Sequence, residues 1–112
     1  MLADMKKHTK IVKYHKALAN SVRLRIFLRV AEESEGFAPD SPKKESCVTE
    51  ISKKLKLPQP TVSNHLRDLE KVGLIKSVKV GTHAYQYVTK HSAQELLKHA
   101  QYIFTQAHKN PY

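Results

Sequence analysis

The stretch LPQPTVSNHLRDLEKVGLI, residues 57–75, gathers side chains well suited to reading a row of hydrogen-bonding groups. Gln59 and Asn64 each carry an amide with donor and acceptor side by side, Thr61 and Ser63 carry hydroxyls, and Arg67 carries a guanidinium fork. In the major groove of duplex DNA, amides of this kind pair with adenine and guanidinium with guanine. Plotted on a helix at about 100° per residue, Val62, Leu66 and Leu69 fall together. Ser63, Asn64, Arg67 and Lys71 fall on the other side, with Gln59 and Thr61 at the N-terminal tip. Such a helix has an apolar back to anchor and a polar front to present. A solvated helix face is often polar as well, so the front gains meaning from its neighbours.

Those neighbours are basic. Lys53 and Lys54 precede the stretch, and Lys76, Lys79 and His83 follow it. Over 112 residues the chain carries 20 Lys plus Arg against 10 Asp plus Glu, and the pI is about 9.8. The charge is segregated: residues 1–30 carry a net of +7, residues 31–52 a net of −4 and residues 53–90 a net of +6. An anionic partner is implied, a nucleic acid or an acidic membrane surface, with general solubility as the plainer alternative. No apolar run approaches the roughly 18 residues that span a bilayer, and MLADMKKHTK lacks the apolar stretch of a signal peptide. No membrane association is expected. The single cysteine allows no internal disulfide, so a reducing cytoplasm is the expected compartment.

The elements that must position these residues follow from periodicity. Ile11, Tyr14 and Leu18 predict an amphipathic first helix over about residues 5–19. Asn20 is placed to cap a second, SVRLRIFLRVAEE, with Val22, Ile26, Phe27 and Val30 inward. SEGFAPDSPKKES, residues 34–46, reads as a long surface connection. Thr49 is the expected cap of a short helix, EISKKLKL, ended by Pro58, while Pro60 suits the first turn of the next helix and Gly73 its end. Two helices joined by so short a turn form a helix-turn-helix, about 49–73. The period then changes to two: IKSVKV and AYQYVT flank Gly81 and Thr82, which suit a type II′ hairpin turn, giving a wing over about 75–89. A last helix is expected over about 92–108, capped by Ser92, with Leu96, Leu97, Ala100, Ile103 and Phe104 on one wide face. The expected fold is mainly α with a small β-hairpin: one winged helix-turn-helix domain over residues 1–112 with about five helices.

KALANSVRLRIFLRVAEE and CVTEISKKLKLPQPTVSNHLRDLEKVGLIKSVKVGTHAYQYV together resemble the ArsR-type (arsenic-repressor-like) family of winged-helix transcriptional regulators, over about residues 14–90. Gln59, Val62, Ser63, His65, Leu66, Leu69, Gly73 and Leu74 stand where the family's pattern has them. The resemblance implies a homodimer built through the first and last helices, operator binding and repression relieved by an inducer. The exposed apolar stripe of the last helix agrees, since such a face needs a cover. Ile11, Tyr14, Leu18, Leu96, Leu97, Ala100, Ile103 and Phe104 are the candidate dimer residues.

Metal-sensing relatives carry Cys-Val-Cys where this chain has Cys47-Val48-Thr49, and a threonine hydroxyl is a poor ligand for a soft metal. The family's other site has Asp-x-His at the start of the last helix. Here Thr89 takes the carboxylate position and His91 alone remains, with Glu95 and His99 one turn further on at i and i+4. Cys47, His91, Glu95 and His99 are therefore the residues a divalent ion such as zinc could use, but no cofactor is expected. His65 reads as a packing residue.

The expected function is a sequence-specific DNA-binding transcriptional regulator, a repressor, that binds a palindromic operator in double-stranded DNA as a homodimer. Gln59, Thr61, Ser63, Asn64 and Arg67 are the candidate base readers; Lys53, Lys54, Lys71, Lys76, Lys79 and His83 are the candidate backbone contacts. Two alternatives stand beside it: a winged-helix module that binds protein, and a sequence-indifferent architectural DNA-binding protein. No enzyme is expected, for there is no nucleophile–base arrangement, glycine-rich phosphate loop or carboxylate pair, and glycines total 3.

Overall fold

A computed structural model describes residues 8–34 and 44–112. Most of the expected 34–46 connection, and residues 5–7 of the expected first helix, lie outside the described residues. The elements run α1 Thr9–Leu18, α2 Ser21–Glu33, a short 3-10 turn Lys44–Ser46, α3 Val48–Leu55, α4 Gln59–Lys71, β1 Ile75–Val80, β2 His83–Val88 and α5 Lys90–Ala107.

Their ends follow local chemistry. Asn20 caps α2 as expected, its side-chain oxygen accepting the Arg23 N–H at 2.9 Å. Between α3 and α4 the chain reverses at Lys56, which takes a left-handed conformation with φ of 55°. Ser52 holds that turn closed by donating its hydroxyl to the Leu57 carbonyl. Pro60 sits in the first turn of α4, and Gly73, at φ +88°, releases the chain past its end. Gly81 at φ +63° turns β1 into β2, which pair antiparallel with Val80 opposite His83. Thr82 is not at positive φ, so the turn is the expected II′ type.

Two caps differ from expectation. Cys47, in extended backbone, precedes α3, and Thr49 lies inside its first turn. Thr89, not Ser92, caps α5: its hydroxyl accepts the Ser92 N–H and also donates to the Gly73 carbonyl at 2.7 Å. Ser92 is instead fully buried, donating to the Leu74 carbonyl. The long-range bond to Gly73 ties the start of the helix to the end of α4.

The core collects Ile26, Phe27 and Val30 of α2, Ile51 of α3, Val62, Leu66 and Leu69 of α4, and Leu74 and Ile75 at the root of the wing. Each fully buried aliphatic side chain contributes about 1.5–3 kcal/mol. Ile11, Tyr14 and Ala17 of α1 join the same core. Leu96 of α5 packs against its edge, whereas Leu97, Tyr102, Ile103 and Phe104 are each more than 60% exposed.

Candidate nucleic-acid interface

The reading stretch is built from the core outward. Val62, Leu66 and Leu69 bury the back of α4, which leaves Asn64, Arg67 and Lys71 exposed along its front and Gln59 exposed at its tip. Thr61 and Ser63 are half-buried shoulders on either side. At the tip, the Val62 N–H already reaches back to the Pro58 carbonyl and Pro60 has no N–H. Gln59 and Thr61 therefore supply the free amides of the first turn.

Two of the polar side chains are already oriented. Gln59 donates its amide to the Thr49 hydroxyl at 3.3 Å, and Asn64 accepts from Arg67 at 3.3 Å. Neither bond was legible beforehand: the first crosses from one helix to the other, and the second depends on side-chain rotamers.

The wing stands against α4 through polar contacts. Glu70 accepts the Ser77 N–H at 2.9 Å, and the Ser77 hydroxyl donates to the buried Gln86 at 2.6 Å. Cys47 bridges to Tyr85 and so ties the root of α3 to the same ribbon. A cleft of about 210 Å³ between tip and wing is lined by Thr49, Gln59, Ser63, Thr82, His83 and Ala84. Lys79 pairs with Ala84, and cross-strand partners share a face, so Lys79 lies on the cleft side. Lys76 pairs with Tyr87 on the opposite side of the ribbon, because successive side chains alternate. Both lysines are exposed, but they face different ways. Lys53 and Lys54 are exposed on α3, with Lys53 3.8 Å from Glu50.

Arg23 was not marked as functional by its sequence position, yet it sets where α4 sits. Its guanidinium donates to the Ala17 carbonyl at the end of α1 (3.1 Å), to Asp68 of α4 (3.1 Å) and to Nδ1 of His65 (3.3 Å). His65 therefore carries a lone pair on Nδ1, and its role is to seat the helix. The Ala-Asn-x-x-Arg spacing of residues 19–23 and the carboxylate of Asp68 were present to be seen; their convergence needed three elements in place.

The residues considered for metal are scattered among other contacts. Lys10 lies 3.3 Å from Nε2 of His91, the rings of His8 and His99 meet edge to face at 5.6 Å, and Cys47 is buried. Glu95 faces the buried Tyr14. Burial, and secondarily that carboxylate, push the Tyr14 phenol above its ordinary value of 10.0. Among the described residues no group of three or more His, Cys, Asp or Glu side chains is placed to hold an ion, and no helix is long and apolar enough to cross a membrane.

This arrangement of helices and ribbon is a winged helix-turn-helix, and the comparisons agree with it. Residues 42–77 match the family described as bacterial regulatory protein, arsR family. A helix-turn-helix-type transcriptional regulator of Methanocaldococcus jannaschii, itself uncharacterised, is 34% identical over 94 residues, covering 84% of this chain and 94% of that one. The YbzH regulator of Bacillus subtilis, likewise uncharacterised, is 37% identical over 78 residues, 66% of this chain and 78% of its own length. The chain belongs to the arsR family of transcriptional regulators. Solved structures share the fold: an ArsR-like regulator from Rhodococcus sp. RHA1 at a TM-score of 0.69 and 15% identity, covering 93% of this chain and 88% of that chain. A homodimeric winged helix-turn-helix DNA-binding domain from Mycobacterium bovis superposes at a TM-score of 0.64 and 21% identity, covering 97% and 94%.

Proposed function

We propose that this chain is a cytoplasmic repressor that recognises a palindromic operator as a two-fold homodimer. The observation that carries the reading is the front of α4. Asn64, Arg67 and Lys71 stand exposed in line while Val62, Leu66 and Leu69 hold the back in the core. Gln59, Thr61, Ser63, Asn64 and Arg67 are assigned to base edges. Lys53, Lys54, Lys71, Lys79 and His83 are assigned to phosphates, with Lys76 a lesser contact because it faces away from the cleft.

The existing bonds sharpen the assignment. With the oxygen of Asn64 occupied by Arg67, the pair presents N–H donors, which matches the O6 and N7 acceptors of guanine. With an amide hydrogen of Gln59 committed to Thr49, its free oxygen suits the amino group of adenine or cytosine.

A second copy is the cover assigned to α5. Leu97, Ala100, Ile103 and Phe104 form the seat, joined from α1 by the exposed Val12. Ile11 and Tyr14 are buried within their own chain and support this surface from beneath. A homodimeric relative of the same fold supports the arrangement. Two-fold symmetry then sets the half-sites about one helical turn apart. Release by a metal is not part of the proposal. Thr49 and Thr89, at the family's ligand positions, are both engaged in hydrogen bonds that orient other groups.

Selecting bound duplexes from a random pool, with and without zinc, tests the reading. The expected result is a palindrome containing guanine in each half, unchanged by zinc. Recovery of unrelated sequences would leave sequence-indifferent coating instead.

A further inference from the structure

The tip and wing make no use of the densest basic stretch of the chain, residues 1–30, with eight basic side chains and one acidic. Two of those side chains, Lys13 and Lys16 of α1, meet Arg23 and Lys71 around a groove of about 420 Å³ with Ala17 and Val72 at its floor. Asp68 also lines it, but that carboxylate is held by Arg23 at 3.1 Å. Among the described residues no carboxylate lies within ion-pair distance of Lys13, Lys16 or Lys71, whereas Lys53 has Glu50. Three amines that no carboxylate of the described residues pairs therefore line one groove.

The position of the groove indicates its occupant. Lys71 lies seven residues beyond Asn64, two helical turns, so the two share the front of α4, about 10 Å apart along its axis. Lys71 thus belongs to the reading face and to the rim of the groove at once. A duplex that admits the tip into its major groove continues past this end of the helix, and its backbone is the anion at hand. Three of the five N–H donors of Arg23 go to Ala17, His65 and Asp68, which fixes its guanidinium in the wall, where it adds positive potential.

We infer that the groove between α1 and the C-terminal end of α4 seats a backbone phosphate of duplex DNA flanking the half-site, held by Lys13, Lys16 and Lys71. This rests on the operator reading and extends it: the contacted duplex is longer than the base pairs that are read. The same chemistry would accept a free phosphate ester, so the test separates the two sources.

The selected site is prepared bare and extended by about 10 base pairs on each side, one further turn. Wild type is expected to bind the extended duplex about tenfold more tightly near 50 mM salt. Lys13→Ala/Lys16→Ala is expected to lose that gain and to flatten the salt dependence on the long duplex by about 2–4 in slope. Its affinity for the bare site, its base preference and its thermal melting should stay as in wild type. Lys90→Ala/Lys109→Ala removes the same charge elsewhere and should keep the gain. A gain that survives in the groove variant, or that is lost equally in the charge control, overturns the assignment. So does saturable binding of pyrophosphate to the DNA-free protein that disappears in the groove variant, which would make a free phosphate ester the occupant. A wild-type protein that selects no duplex would remove the operator reading as well, a result distinct from a bare-site preference without a flank effect.

Discussion

Helices α4 and α5 are both amphipathic, but they treat their apolar sides in opposite ways. In α4 the apolar residues are spent inside the chain: Val62 and Leu69 are fully buried, and polar groups face out. In α5 Ser92 is buried and Leu96 packs against the core's edge, whereas Leu97, Tyr102, Ile103 and Phe104 face water. The same periodicity in sequence therefore describes one helix whose apolar side is covered within its own chain and one whose apolar side is exposed. Exposed aromatic and branched residues in contact with water are the more costly of the two arrangements.

This contrast can be broken by substitution. Leu69→Ala should remove about 2–5 kcal/mol of stability, the usual range for emptying a filled core position, and denaturant unfolding would show it. Phe104→Ala should leave monomer stability nearly unchanged and weaken self-association by about 2 kcal/mol or more, roughly thirtyfold, in sedimentation. If the Phe104 variant instead unfolds like the Leu69 variant, α5 is packed within its own chain and the contrast fails.

On the front of α4, Asn64→Ala should reduce discrimination at one base pair by about 1–3 kcal/mol. Lys79→Ala should weaken all duplexes alike and lower the salt slope by about 1, and Lys76→Ala should do less, given its opposite face. Equal, sequence-blind losses from Asn64 and Lys79 variants would erase the division between readers and phosphate contacts. The smallest effect concerns Tyr14. Above its ordinary value of 10.0 the unfolded chain gives up the phenolic proton while the folded chain keeps it, so the folded state binds more protons and stability falls as pH rises. Tyr14→Phe should remove that part of the decline as pH rises past about 10 in chemical denaturation.

What was legible in the sequence was whatever is decided within a few residues. The Val62–Leu66–Leu69 stripe, the end at Gly73 and the Gly81–Thr82 turn all follow from local sterics and period, and each is present, whereas the break expected at Pro58 falls two residues earlier, at the left-handed Lys56. Caps proved harder, because a side chain caps a helix only where the incoming chain leaves it free to do so. Thr89 wins over Ser92 through a carbonyl 16 residues away, a contact no local pattern contains. Periodicity also identified Ile11 and Tyr14 as apolar-face residues of α1 and placed them at a dimer seam, whereas the chain's own core covers them. In the interface, residue types were readable and their orientation was not. The bonds from Gln59 to Thr49 and from Arg67 to Asn64 decide which atoms point outward, and they belong to tertiary packing and rotamers.

One guanidinium has a mechanical consequence. Arg23 grips the last turn of α1 and two side chains of α4 at the same time. The end of α1 and the middle of the reading helix are thereby pinned to one side chain, so the seat of the reading helix depends on where α1 lies as well as on the apolar core beneath it.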